Sequence, residues 1–414
     1  MSMLKCTKGV LSYLCNDWKK ILKKMSKNSL PDFNNTELAF RHLSDKDLSR
    51  GKMLFQLLSR PWLVKLGSVL ARIALFVKFP IGWAVRPTVY AQFCGGEDIS
   101  DSEETIELLY RSGVRTILDY SAEGVDTEKE LDITCSEILK TVTAASNDPR
   151  HAFAVFKPSG LSHNELLEKD PSKFTSIEKE AWERVVRRVR SICATTADAG
   201  GRVLIDAEET WLQDAIDKLA EDMMSDFNRK RAVVFTTAQL YRHDRLDFIK
   251  DLTSRAEEAD FIAGIKLVRG AYMEKERERA EKNSYPSPIQ SNKAATDSDF
   301  NLAVEFCLDN LDRVNLFCGT HNEESNMKLC EMMKERGLSS DDNRITFSQL
   351  LGMSDPITFN LASQGYNVAK YVPYGPIREA MPYLIRRAKE NTSVAGQTSR
   401  ELALIRTEIE RRNR

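Results

Sequence analysis

From residue 100 onward the chain repeats one pattern eight times, and nothing else in the sequence restricts the fold so tightly. Short β-branched or apolar runs alternate with longer amphipathic stretches. The runs are VRTILDYS (114–121), AFAVFK (152–157), RVLIDAE (202–208), RAVVFTTAQ (231–239), GIKLVRGAY (264–272), VNLFCGTHN (314–322), RITFSQLLG (344–352) and NVAKYVPYG (367–375). Between them lie helical patterns such as 176–200 and 299–314. Eight strand-then-helix units predict an α/β chain closed into a (β/α)8 barrel of the TIM type. An open doubly wound sheet is the competing architecture. Such sheets usually carry G-x-G-x-x-G after the first strand, and neither that motif nor a P-loop occurs here.

The runs turn polar at their C-terminal ends: Lys157, Asp206, Gln239, Arg269 with Tyr272, His321 with Asn322, and Tyr371. In a barrel these ends meet at one mouth, where active sites lie. Strands commonly end in polar loops. That explains polarity, but less well this mixture of cations, carboxylate and phenols.

The 414 residues accommodate the barrel and an extension. We divide the chain into a basic extension (1–30), a helical segment (31–100), the barrel (101–395) and a C-terminal helix (396–414). The first 30 residues hold seven lysines and one acid, with apolar residues at roughly helical spacing. A basic amphipathic helix on a membrane, an organelle presequence and a disordered extension are all consistent with that. The stretch 61–85 is the most apolar of the chain, but Lys65, Arg72 and Lys78 interrupt it too often for a spanning helix. It reads as one or two packed helices or a membrane-contacting patch. A net charge of −1 gives no global attraction to nucleic acid. Eight scattered cysteines without C-x-x-C, and five histidines without a close pair, argue against a disulfide framework and a metal site.

The segment YVPYGPIREAMPYLIRRAKEN (371–391) carries the sharpest chemistry. At about 100° per residue, Ile377, Ala380, Met381, Leu384, Ile385 and Ala388 form one packing stripe. Tyr383, Arg386, Arg387 and Glu390 lie opposite. The bland reading is a solvated face with an Arg386–Glu390 ion pair. The sharper one is a zwitterion site, with arginines on a carboxylate and Glu390 on an ammonium. Because the helix starts at the barrel mouth, the second reading gains weight. Lys157 and Asp206 can pair across neighbouring strand ends. No nucleophile or general acid stands out, so a cofactor would carry the reaction.

Five motifs in linked order make the resemblance specific: IDAEE (205–209), KLVRGAYMEKER (266–277), GTHN (319–322), QLLGM (349–353) and 371–391. Together they resemble the proline dehydrogenase family. The resemblance implies a distorted (β/α)8 barrel with an N-terminal helical extension, FAD bound noncovalently at the strand C-termini, and oxidation of L-proline to 1-pyrroline-5-carboxylate. Electrons would pass to a membrane quinone. By position, Arg386 and Arg387 match the carboxylate clamp and Glu390 the acid on the amine side. Tyr272, Leu350, Tyr371 and Tyr383 match the walls around the proline ring, with Lys157 and Asp206 the pair beneath it. Gln239, Lys266, Arg269, Thr320, His321 and Asn322 match flavin or phosphate contacts, and Lys293 the pyrophosphate or ribose. Lys266 departs from members that carry arginine there.

Within this resemblance Tyr371 favours proline, since hydroxyproline dehydrogenases carry a smaller residue at that position. The length suits a monofunctional enzyme, with a separate pyrroline-5-carboxylate dehydrogenase as pathway partner. The tail NTSVAGQTSRELALI is similar to bacterial monofunctional members. It points to the cytoplasm, peripheral to the bacterial inner membrane; the matrix side of the mitochondrial inner membrane is the alternative. Two other classes stay open: a barrel aldolase using Lys157 or Lys266 as Schiff-base nucleophile, and a membrane-surface or metabolite-binding protein without turnover.

Overall fold

The structure is a computed structural model that describes residues 30–77, 79–120, 127–393 and 397–414. The basic extension, apart from Leu30, lies outside the described residues. Each of the eight sequence runs contains a strand: β1 Arg115–Tyr120, β2 His151–Phe156, β3 Val203–Ile205, β4 Val234–Gln239, β5 Ala263–Val268, β6 Val314–Gly319, β7 Ile345–Leu350 and β8 Val368–Tyr374. They close into a parallel barrel in sequence order, with β8 paired to β1 from Arg115↔Ala369 to Tyr120↔Tyr374. The open doubly wound sheet is thereby excluded.

The runs are nearly continuous in apolar residues because barrel strands are covered on both faces. Inside, Ile117, Phe153, Val155, Leu204, Phe235, Phe317 and Tyr371 form one cluster. The Phe153 ring meets those of Phe235 and Phe317 edge-on, each with centroids 5.2 Å apart. Outside, the apolar stripes of the surrounding helices cover the strands. Helix Ser176–Asp198 starts at a Thr175/Glu178 capping box. The pattern at 299–314 belongs to a helix that starts earlier, Lys293–Asp309, because Asn292 caps it. β3 is shorter than its run. The Glu208 amide donates to Gln213, which turns the chain into helix Thr210–Phe227.

A second core lies beside the barrel. It joins helix Asp45–Leu58 (Leu48, Phe55), Phe93, helix Ile377–Ser393 (Met381, Leu384) and helix Gln397–Arg412 (Leu402, Ile405). The expected stripe of the Ile377 helix packs here, with Ile385 and Ala388 at its margin, and Tyr383, expected on the opposite face, joins it. Among the described residues six cysteines are free and buried, no group of metal-ligating side chains assembles, and no helix is long and apolar enough to cross a membrane.

Candidate functional site

Side chains on a strand alternate between faces, so the barrel interior continues upward in steps of two. From Ile117 the step reaches Asp119, from Val155 Lys157, from Leu204 Asp206, and from Ala369 Tyr371. These ends, with Lys266 of β5, meet at the mouth. The Lys266 ammonium donates to Asp206 at 2.6 Å and to the Tyr371 hydroxyl, and lies 4.4 Å over the Tyr371 ring. Tyr371 in turn donates to Asp206 at 3.3 Å. Lys157 sits between two carboxylates, 3.5 Å from Asp119 and 3.8 Å from Asp206.

The expected Lys157–Asp206 pair is therefore one edge of a larger network, and the tight partner of Asp206 is Lys266. Asp119 did not emerge from the sequence reading. The available signal was the two-residue step from Ile117, hidden because Asp119 sits inside its run and not at its end. Burial raises the Asp119 carboxyl above its usual range, against the opposing pull of Lys157. Tyr371 is held well above the ordinary phenol value by burial and by the Asp206 and Asp119 carboxylates.

Helix Ile377–Ser393 brings Tyr383 within electrostatic reach of Asp119 in this network. Arg387 is only 7% exposed and Tyr383 is buried. The fork of Arg387 meets both oxygens of Glu390, each at 2.6 Å, and its guanidinium carbon is 5.3 Å from the Tyr383 ring centre. The wet-face reading fails for Tyr383 and Arg387, and Arg387 forms an ion pair with Glu390. Arg386 is half-buried, 6.0 Å from the ring centre of Tyr272 at the end of the β5 loop. Leu350, closing β7, packs against both the barrel interior and the helix core. Glu390 has a raised pKa because burial outweighs the two arginines.

The opposite side of the mouth is rich in donors. Arg269 donates to Asp297 at 2.7 Å, Thr320 at 2.6 Å and Ser325 at 3.0 Å. Lys293 shares Asp297 with it. Gly270 follows Arg269 with φ +128°, and a Cβ there would strike the Tyr241 ring at 2.5 Å. Only glycine gives this turn, which carries the chain from Arg269 to Tyr272. Asn322 caps helix Glu323–Glu335, whose N-terminus faces the same side as Thr320. Gln239 is buried and donates to the Glu208 carbonyl at 2.7 Å. His321 is held neutral, its pKa lowered to about 3 by burial and by Lys370, Arg387 and Arg269. Its Nδ1 is 2.9 Å from Ser354.

The family model of proline dehydrogenase matches residues 102–400, a span that includes every residue named in this site. The chain belongs to the proline dehydrogenase family. Among its relatives is the carbapenem antibiotics biosynthesis protein CarD of Pectobacterium carotovorum, 34% identical over 77% of this chain and 83% of that protein. Hydroxyproline dehydrogenase of Xenopus laevis is 30% identical over 90% of this chain and 88% of that protein. Mitochondrial proline dehydrogenase 1 of Drosophila melanogaster is 36% identical, but over only 39% of its own length. A solved proline utilization A from Bdellovibrio bacteriovorus, inactivated by N-propargylglycine, superimposes with a TM-score of 0.68 at 19% identity. It covers 94% of this chain and 42% of that one. At that identity the likeness speaks for the barrel fold of this proline dehydrogenase family member, not for its substrate.

Proposed function

We propose that the chain is an FAD-dependent proline dehydrogenase that oxidises L-proline to 1-pyrroline-5-carboxylate and passes electrons to a membrane quinone. One observation carries this reading: Tyr383 and Arg387, buried on one face of the Ile377 helix with Glu390 paired to Arg387, lie near enough to the Asp119–Lys157–Asp206–Lys266–Tyr371 network for the Asp119 carboxylate to act on the Tyr383 phenol. Together these groups offer matched charges for a small zwitterion and aromatic faces for its ring.

The donor set fits a flavin dinucleotide. A diphosphate needs cations and a helix N-terminus; Arg269, Lys293 and the start of helix Glu323–Glu335 supply them. A flavin ring needs donors for its carbonyls, and Gln239 and Lys266 stand on that side. FAD, when bound, supplies the hydride acceptor. Arg386 and Arg387 hold the proline carboxylate in planar paired hydrogen bonds. As the carboxylate enters, Glu390 exchanges Arg387 for the substrate ammonium, so both charges stay paired. Glu390 also has the raised pKa suited to taking the ammonium proton. Tyr272, Leu350, Tyr371 and Tyr383 fix the ring, and this positioning lowers the barrier. Lys157 stabilises the Asp119 and Asp206 carboxylates beneath it.

The product would go to a separate pyrroline-5-carboxylate dehydrogenase. The reading places the protein at the surface of the bacterial inner membrane, with the matrix side of the mitochondrial inner membrane as the alternative; the proline dehydrogenase 1 relatives are named as mitochondrial.

A second reading, hydroxyproline dehydrogenase, is favoured by the Xenopus relative's coverage and opposed by Tyr371. The test is the visible spectrum of the purified protein before and after anaerobic L-proline. A flavin spectrum that bleaches is expected. Bleaching with 4-hydroxyproline alone would transfer the assignment to the second reading. Absence of flavin after reconstitution with FAD would overturn both and reopen a lysine aldolase.

A further inference from the structure

Helix Pro61–Phe76 is built inside out. Its one buried residue is Ser68, while Trp62 (63% exposed), Leu66, Leu70, Ile73 and Phe76 (89%) face outward. Spacings of four, four, three and three align these five in one stripe. The opposite face, Val64, Ala71 and Leu75, packs on the second core, so the helix is apolar on both sides. The turn beyond continues the patch with Trp83 (77%). Of the eighteen large hydrophobic side chains exposed among the described residues, eleven fall between Met53 and Trp83. Scattered exposed hydrophobes are ordinary, whereas one concentration of this kind marks a binding surface.

Charge selects the occupant. From Leu48 to Gly96 the sequence has seven lysines and arginines and no aspartate or glutamate. Lys65 and Arg72, both exposed, line one edge of the stripe. We infer that this surface seats in the interface of an anionic lipid bilayer, with the stripe among acyl chains and Lys65 and Arg72 at phosphate level. Tryptophan and long cationic side chains suit that depth, and an apolar stripe with a cationic edge binds anionic lipid. A second copy fits poorly, because two-fold pairing would set cations against cations. Residues 1–29, with seven lysines and one acid, meet the same repulsion. The inference rests on the quinone-linked reading for its purpose and names the surface that would serve it.

The experiment is flotation of the full chain with vesicles of phosphatidylcholine, alone or with about 30% phosphatidylglycerol, a lipid content set so that surface charge contributes. Binding to the anionic vesicles should exceed binding to neutral ones by roughly 10-fold and weaken with salt. Leu66→Ser/Ile73→Ser should reduce it by about 10-fold or more. Lys65→Gln/Arg72→Gln should abolish the anionic preference and leave weak neutral binding. Proline:dye turnover should be unchanged in both variants, which shows that they fold. Full vesicle binding by Leu66→Ser/Ile73→Ser overturns the inference. So does a dimer-to-monomer shift in that variant, which would assign the face to a second copy. Loss of binding on replacing the seven lysines of 1–29 by glutamine, with the Pro61 helix intact, overturns it too. A chain that binds vesicles but never oxidises proline would refute the assigned reaction and leave this surface standing.

Discussion

Tyr371 is a hydrogen-bonding partner at the barrel mouth and, on the proposed reading, also a wall of the substrate site. Its ring closes the aromatic column above Phe317, with centroids 6.2 Å apart, and its hydroxyl links Lys266 to Asp206. A ring hydroxyl on the substrate would compete with the phenol for the same space. Tyr371→Ser removes the ring and keeps a small hydroxyl. The ratio of kcat/KM for 4-hydroxyproline over that for proline should rise about 10-fold or more, the scale on which pocket volume discriminates. Steady-state kinetics with both substrates checks this, and an unchanged ratio rejects the wall. At this scale the sequence was only partly legible. Helical spacing sets Tyr383, Arg387 and Glu390 on one face, and the structure brings them into contact. Asp119, and the tight Asp206–Lys266 contact, depend on which strands are neighbours and at what register, which no local pattern records.

Among the elements, the strands were legible because a barrel strand is apolar on both faces and turns polar where it leaves the barrel. In helix Pro61–Phe76 no local pattern records which apolar face packs; the structure puts Val64, Ala71 and Leu75 on the second core and leaves the other face outward. Helix Gln397–Arg412 hides a different feature. Glu401 is buried against a cluster in which Lys370, with no exposed surface, contacts Asp355 at 2.8 Å, and His42 is 3.8 Å from the same aspartate. Burial, and then Asp355, raises the Glu401 pKa to about 8. His42 is lowered, chiefly by burial, and stays uncharged near neutrality. The folded state thus keeps a proton on Glu401 that the unfolded chain releases at about 4.3. Stability from this group is complete below that value, declines as pH rises, and is lost once pH passes about 8. Glu401→Gln keeps the neutral shape at every pH. Its melting temperature should be close to that of the native sequence at pH 5 and exceed it by roughly 2–4 °C at pH 8.5. Parallel pH–melting curves for the two proteins would show that Glu401 is not protonated in the fold.

At the scale of the whole molecule, the barrel and the N-terminal helices are joined by a helix nearly 300 residues downstream of the first strand. Helix Gln397–Arg412 reaches back in both directions. Arg412 donates to the Phe40 and Leu43 carbonyls at 2.8 and 2.9 Å, holding the N-terminal layer. Arg400 pairs with Glu323 at 3.1 Å, on the first turn of the helix that follows β6. Ile405 lies between these contacts, 4% exposed, its Cδ1 3.9 Å from where a Cβ on Gly51 would sit. If this helix couples the two cores, Ile405→Ala should lower them together. The cost is about 2–5 kcal/mol, from lost burial and the cavity left behind. That is a large fraction of a total stability of roughly 5–15 kcal/mol. Two probes separate the parts. On the proposed reading, release of FAD reports the barrel mouth, and fluorescence retained in a Trp18→Phe/Trp182→Phe/Trp211→Phe background reports Trp62 and Trp83, in the helices beside the second core. Both transitions should coincide in the parent and shift by the same few degrees in Ile405→Ala. If the tryptophan transition falls while flavin release stays at the parent temperature, the layers unfold separately. The barrel would then hold its site without help from the helices packed beside it.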